Sequence, residues 1–140
     1  MVLNMDCMRD ILIAVEQHQR YVPESGGSVR NERLPLCDLY GLLPAYPEET
    51  VCYAVFQAEQ AGFLHLSGSP AWGGIVLGVE IEYLTFAGHE FLASIREDSR
   101  WKSLKRALPV IRNYSLDALN ALSQGMTSAA ITAYLSKNPS

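Results

Sequence analysis

The stretch "FLHLSGSPAWGGIVLGVEIEYL", Phe63–Leu84, decides the fold. Its first four residues, Phe63–Leu66, are a short apolar run that predicts a strand. "SGSPAWGG" supplies the Gly, Ser and Pro chemistry of a turn. Ile75–Leu84 is rich in β-branched residues and alternates, with Val79, Ile81 and Tyr83 on one side and Glu80 and Glu82 on the other. Two strands around a glycine-rich connection predict a β-hairpin. The segments that flank it read as helices, so the hairpin makes the chain α+β, mostly α.

Working upstream, "VCYAVFQAEQAG" predicts a helix that begins at Pro47 and reaches Ala61. Pro47 suits the first helical position, Glu48 and Glu49 suit the positive end of the helix dipole, and Gly62 suits the C-terminal cap. Val51, Val55 and Ala58 form its buried stripe. Before it, Leu36–Leu43 is short and apolar, and periodicity does not choose between helix and strand. Gln19–Pro35 is polar, holds Gly26-Gly27 and two prolines, and reads as an exposed loop. A first helix over Met5–His18 places Met8, Ile11, Leu12 and Val15 on one stripe, with Asn4 or Asp6 as its cap.

Downstream, Thr85 has the chemistry of an N-cap for a helix that buries Phe91, Leu92 and Ile95. Gly88 inside that helix costs about 1 kcal/mol against alanine, which marks close packing against another element. Ser99 is expected to cap a further helix with Trp101, Leu104 and Leu108 on one face, stopped at Pro109. Ser115 opens a last helical region. Helix, short element, helix, hairpin, helix is the order of a winged helix-turn-helix, with the hairpin as wing and Pro47–Ala61 as the reading helix. The expected division is 1–112 for this domain, with 19–35 as its exposed loop, and 113–140 for a helical extension packed on it or in a dimer.

Composition narrows the class. At 140 residues, 49% hydrophobic and 19% charged, the chain has the make-up of one globular domain. No apolar run reaches the length of a membrane span, and "MVLNMDCMRDIL" lacks the basic start and cleavage site of a signal peptide, so a cytoplasmic protein is expected. Cys7, Cys37 and Cys52 form no Cys-x-x-Cys pair and read as free, mostly buried thiols. Residues 1–66 carry four basic and nine acidic side chains, residues 67–140 seven and six. The positive charge gathers between Ser94 and Arg112.

Four stretches, "MDCMRDILIAVE", "VCYAVFQAEQAGFL", "LTFAGHEFLASIREDSRWKSLKRAL" and "YSLDALNAL", resemble the landmarks of the domain of unknown function 2513 family, a set of uncharacterised bacterial and phage proteins. The third stretch is the most specific, and the order and spacing extend the resemblance over nearly the whole chain. It departs from the family pattern at Ala54, which follows Tyr53 where a histidine often stands. The resemblance implies a winged-helix fold and phage association, and implies no activity.

His89-Glu90 is the pair that most resembles a chemical site. A zincin helix needs His-Glu-x-x-His, because two imidazoles four residues apart share a face. Position 93 is alanine. No Gly-x-Ser-x-Gly elbow and no phosphate-cradling loop precedes a helix. The expectation is therefore no enzyme, with no catalytic, cofactor-binding or metal residues.

For double-stranded DNA, the outward stripe of the reading helix offers Tyr53, Gln57 and Gln60, and the basic segment offers Arg100, Lys102 and Lys105 to phosphate. This favours a DNA-binding, transcription-regulator-like protein, with a homodimer expected from the Leu- and Ala-rich, charge-poor Leu116–Leu135. The alternative is a protein–protein interaction module on the same scaffold without DNA binding. It rests on the absence of Lys and Arg from 47–61 and on exposed aromatics such as Tyr53 and Trp72.

Overall fold

Helix α1, Met5–His18, opens the chain, and Asn4 caps it by accepting from the Cys7 amide at 3.0 Å. The computed structural model describes residues 1–68, 74 and 76–111, with 107–111 as backbone alone. They fall into two units, Met1–His89 and Glu90–Ser140.

In the first unit α1 is followed by a hairpin, β1 (Arg20–Pro23) and β2 (Val29–Glu32), then by β3 (Leu34–Pro35), α2 (Leu36–Leu42), α3 (Glu48–Gln60), β4 (Leu64–Ser67) and β5 (Glu80–Leu84). The α1 stripe of Met8, Ile11, Leu12 and Val15 is fully buried. It packs with α3 and β5, and Leu39 of α2, Val51 and Val55 of α3, Phe63 and Ile81 complete the core. Burying each of these large side chains contributes about 1.5–3 kcal/mol relative to leaving it exposed.

The sheet at this core has the order β3–β5–β4, antiparallel throughout. Pro35 lies in β3, an edge strand, where its missing N–H leaves no central ladder bond unmade. The strand predicted to begin at residue 75 instead joins the ladder at Glu80. Gly68 and Gly78, at φ of 87° and 68°, pinch the connection there. A Cβ on Gly68 would meet the Gly78 carbonyl oxygen at 2.5 Å.

The expected exposed loop Gln19–Pro35 is instead a largely exposed hairpin over Arg20–Glu32, followed by Leu34, which is buried, and Pro35 in β3 of the core sheet. Gly26 and Gly27, both with φ above +80°, reverse the chain. Arg20 faces Glu32 in register and bonds it at 2.8 Å, and Arg30 reaches Glu24 at 2.7 Å. Cross-strand ion pairs on an exposed ribbon leave no apolar alternation to read, which is why the sequence looks like a loop.

Leu36–Leu42 is a helix, with Leu36 and Leu39 buried. Of the three cysteines, all free, only Cys7 is buried; Cys37 is exposed and Cys52 half-buried. The expectation of mostly buried thiols fails because Cys37 and Cys52 lie on helix faces turned from the core. Burial, followed by the charge of Asp10, raises the Cys7 thiol to about 11.

Helix α4, Phe86–Ile95, crosses the boundary between the units. In the second unit Phe91, Leu92 and Ile95 are buried, as are Trp101 and Leu104 of α5, Asp98–Ile111. Helix α5 starts one residue before Ser99, with the Trp101 amide bonding the Glu97 carbonyl at 3.0 Å, so Ser99 lies in the first turn rather than at the cap. It also runs two residues past Pro109. A proline removes its own donor and not those of the residues after it. Residues 113–140, and the expectation of a helical extension there, lie outside the described residues, as does Trp72.

Candidate functional site

Helix α3 carries three of the residues expected to face a ligand, Tyr53, Gln57 and Gln60. Pro47 is its N-cap, one position earlier than expected, and Glu48 and Glu49 occupy the first turn. At the other end the Phe63 amide bonds the Ala58 carbonyl and the Gly62 amide bonds that of Glu59, both at 2.9 Å, with Gly62 at φ 82°. This is the glycine-terminated paired-bond cap that satisfies the last carbonyls of a helix.

That cap is the seat of α4. Thr85 donates its amide to the Phe63 carbonyl at 3.0 Å and its hydroxyl to the Gly62 carbonyl. Its hydroxyl oxygen accepts from the Gly88 amide at 3.0 Å, which makes Thr85 the N-cap of α4. A Cβ on buried Gly88 would collide with the Phe63 carbonyl oxygen and meet Leu84 Cδ1 at 2.9 Å. The Thr85 and Gly88 expectations therefore hold, and both serve one joint.

Between its ends, α3 buries Val51, Ala54, Val55 and Ala58. Tyr53 and Gln57 are half-buried and Gln60 is exposed, all on the open side. Cys52 and Phe56, half-buried, and the exposed Glu49 share that side. Burial and then a hydrogen bond with the Cys52 thiol push the Tyr40 phenol above its ordinary range, which ties α2 to α3. In the second unit Arg100, Lys102 and Lys105 are exposed on α5, and Lys105 Nζ lies 5.9 Å from the centroid of the Trp101 ring.

A second cluster lies on the sheet. Leu64 pairs with Leu84 and His65 with Tyr83, but Leu66 pairs with Ile81, so Glu82 is an extra residue in β5. This two-against-one bulge re-aims side chains. Ile81 and Leu84 are buried while Glu82 and Tyr83 between them are half-buried, which breaks the alternation expected for Tyr83. His65 consequently meets both: its Nδ1 lies 2.8 Å from Glu82 Oε2, and its ring stacks on Tyr83 at 5.0 Å and 5°. Arg33 reaches the same carboxylate at 3.5 Å. Asn31 donates to the Glu82 carbonyl at 2.9 Å and accepts from Gln19 at 2.9 Å, fastening the β1–β2 hairpin to β5.

Sequence reasoning missed this hub, because Asn31 and Glu82 are 51 residues apart. The bulge had one signal, the three-residue step from Ile81 to Leu84. His89 and Glu90 are exposed on α4. Among the described residues no three His, Cys, Asp or Glu side chains gather where they would share a metal ion. Among those residues, too, no helix is long and apolar enough to cross a membrane.

No curated protein and no solved structure matches the chain. A family model does match, over residues 2–110, which span α1 to the last turn of α5 and include both the α3–α4 joint and the Glu82 hub. The chain belongs to the family described as "Hypothetical protein (DUF2513)".

Proposed function

We propose that the first unit is a winged-helix module that docks a protein through the open side of α3. The winged-helix reading is supported by the order α1, β3, α2, α3, β4, β5, and by the closure of β3 onto β5. The observation that carries the docking reading is charge. Residues 1–89 hold four arginines, no lysine and eleven carboxylates, a formal net charge of −7. Arg20, Arg30 and Arg33 each face a glutamate. A phosphate backbone approaching α3 meets Glu48, Glu49 and Glu59 and no cation on that helix, whereas DNA affinity comes largely from Lys and Arg at phosphates. The reading assigns no catalysis and places the protein in the cytoplasm of a bacterial or prophage-bearing cell.

A second reading, a DNA-binding regulator, is favoured by the exposed Arg100, Lys102 and Lys105 on α5 and by the open stripe of Tyr53, Gln57 and Gln60. A salt-titrated duplex-DNA shift assay separates the two. Protein docking predicts no shift even at about 50 mM salt, where phosphate contacts are strongest. A shift that weakens steeply with salt and is lost on Lys102→Ala/Lys105→Ala establishes the DNA reading instead.

A further inference from the structure

We infer that the partner docked by α3 is a second copy of this chain, which presents the cationic face of its α5; the inference rests on the protein-docking reading above. Two surfaces of opposite sign carry it. On α3 the open side places Tyr53 and Phe56, both half-buried, between Glu49 and Gln60, with Glu48 and Glu59 on the rim at opposite ends of the helix. On α5 the spacing puts Lys102, Lys105 and Arg106 on one face, three and four residues apart, and all three are exposed. Trp101 and Leu104 are already buried, so among its described side chains α5 offers charge and long aliphatic stems.

Those stems suit the Tyr53–Phe56 surface, and the ammonium and guanidinium groups suit the three glutamates around it. Aromatic side chains flanked by opposite charge are the usual anchors of a protein interface. In a two-fold pair the contact occurs twice, α3 of each copy receiving α5 of the other, which closes the assembly at two.

The test is the solution mass of the full chain at tens of micromolar by light scattering, at about 50 and about 500 mM NaCl, between which exposed charge pairs become largely screened. A dimer of twice 15.5 kDa is expected at low salt. Its dissociation constant should rise about tenfold at high salt, the summed effect of several exposed ion pairs.

Two charge-reversed variants complete the test, Lys102→Glu/Lys105→Glu/Arg106→Glu and Glu48→Lys/Glu49→Lys/Glu59→Lys. Each should be monomeric alone, and the two should form a heterodimer on mixing, because each then meets opposite charge at both contacts. A monomer at both salts, a dimer indifferent to salt, or no heterodimer from folded variants overturns the interface. A monomer that leaves DNA unshifted refutes this partner and leaves protein docking by α3 in place, whereas a specific DNA shift refutes the docking reading itself.

Discussion

Replacing Gly88 with alanine tests the joint between α3 and α4. In an open helix the change gains about 1 kcal/mol, because alanine is the better helix former. Here the new methyl would strike the Phe63 carbonyl oxygen and approach Leu84 Cδ1 at 2.9 Å and Cγ at 3.1 Å. The leucine can rotate. The carbonyl is held, because it accepts the Thr85 amide and sits one residue beyond Gly62, whose φ of 82° belongs to the α3 cap. Moving it weakens a backbone hydrogen bond worth about 1 kcal/mol and the Thr85 cap worth about another. Overpacking adds about 1–3 kcal/mol. Set against the helix gain, the net expectation is a loss of about 2–4 kcal/mol. Urea denaturation followed by circular dichroism measures it. Ala93→Gly, at an exposed position of the same helix, should cost only the propensity difference of about 1 kcal/mol. The Gly88→Ala/Thr85→Ala double variant should lose less than the two singles together, since both act on one joint. A Gly88→Ala protein as stable as the wild type, or more so, refutes the packing argument.

Two further perturbations probe other parts of the first unit. Asn31→Ala removes two side-chain hydrogen bonds, one that fastens the hairpin to β5 and one from Gln19, worth about 1 kcal/mol each. Hydrogen exchange of the Arg20–Glu32 amides should accelerate severalfold while the α1 core stays protected, and uniform exchange would sink the fastening role. The Cys7 thiol is raised from 9.0 to about 11 by burial. A group whose folded pKa lies above its unfolded value contributes stability below the unfolded value and loses that contribution as pH rises through the folded one. The window is thus pH 9 to 11, with a loss on the order of 2–3 kcal/mol for two units. Melting midpoints should fall across this window, and less steeply in Cys7→Ala. Parallel slopes would assign the alkaline loss to other groups, of which Tyr40 and Tyr46 are also raised, chiefly by burial.

What was legible in the sequence was local. Asn4, Gly62 and Thr85 are recognisable because a cap acts within a few residues of itself, and Gly88 because a glycine inside a helix needs a steric reason. The α1 and α3 stripes follow from the helix period alone, which is why Met8, Ile11, Leu12, Val15, Val51 and Val55 are all in the core. Apart from the ends of α5 and the exposure of Cys37 and Cys52, the failures come from partners distant in sequence or on other strands. Arg20 and Glu32 make a ribbon out of what composition describes as loop. The bulge at Glu82 depends on a register with β4 that no single strand shows. On α3 the residue types Tyr53, Gln57 and Gln60 were legible as an open stripe, but the pairing of Arg20, Arg30 and Arg33 with glutamates, which supports the protein-docking proposal, was not.

The same division explains why family membership and function come apart. The stretch Leu84–Trp101 includes Thr85 and Gly88, and these answer to a backbone constraint: one hydroxyl bonds at two helix ends, and one missing Cβ lets a carbonyl approach. His89 and Glu90, beside them, are exposed, and His89 joins the structure there through its amide, which bonds the Thr85 carbonyl at 2.9 Å. The span matched by the family model, 2–110, contains this joint. The open side of α3 is under no such constraint, since none of Glu49, Tyr53, Phe56 or Gln60 is fully buried. Its chemistry belongs to whatever it meets. An acidic rim around two aromatics, on a unit with three arginines that face glutamates, is what supports the proposal of a cationic protein partner over a polyanion, and the exposed cations of α5 are the surface that proposal names.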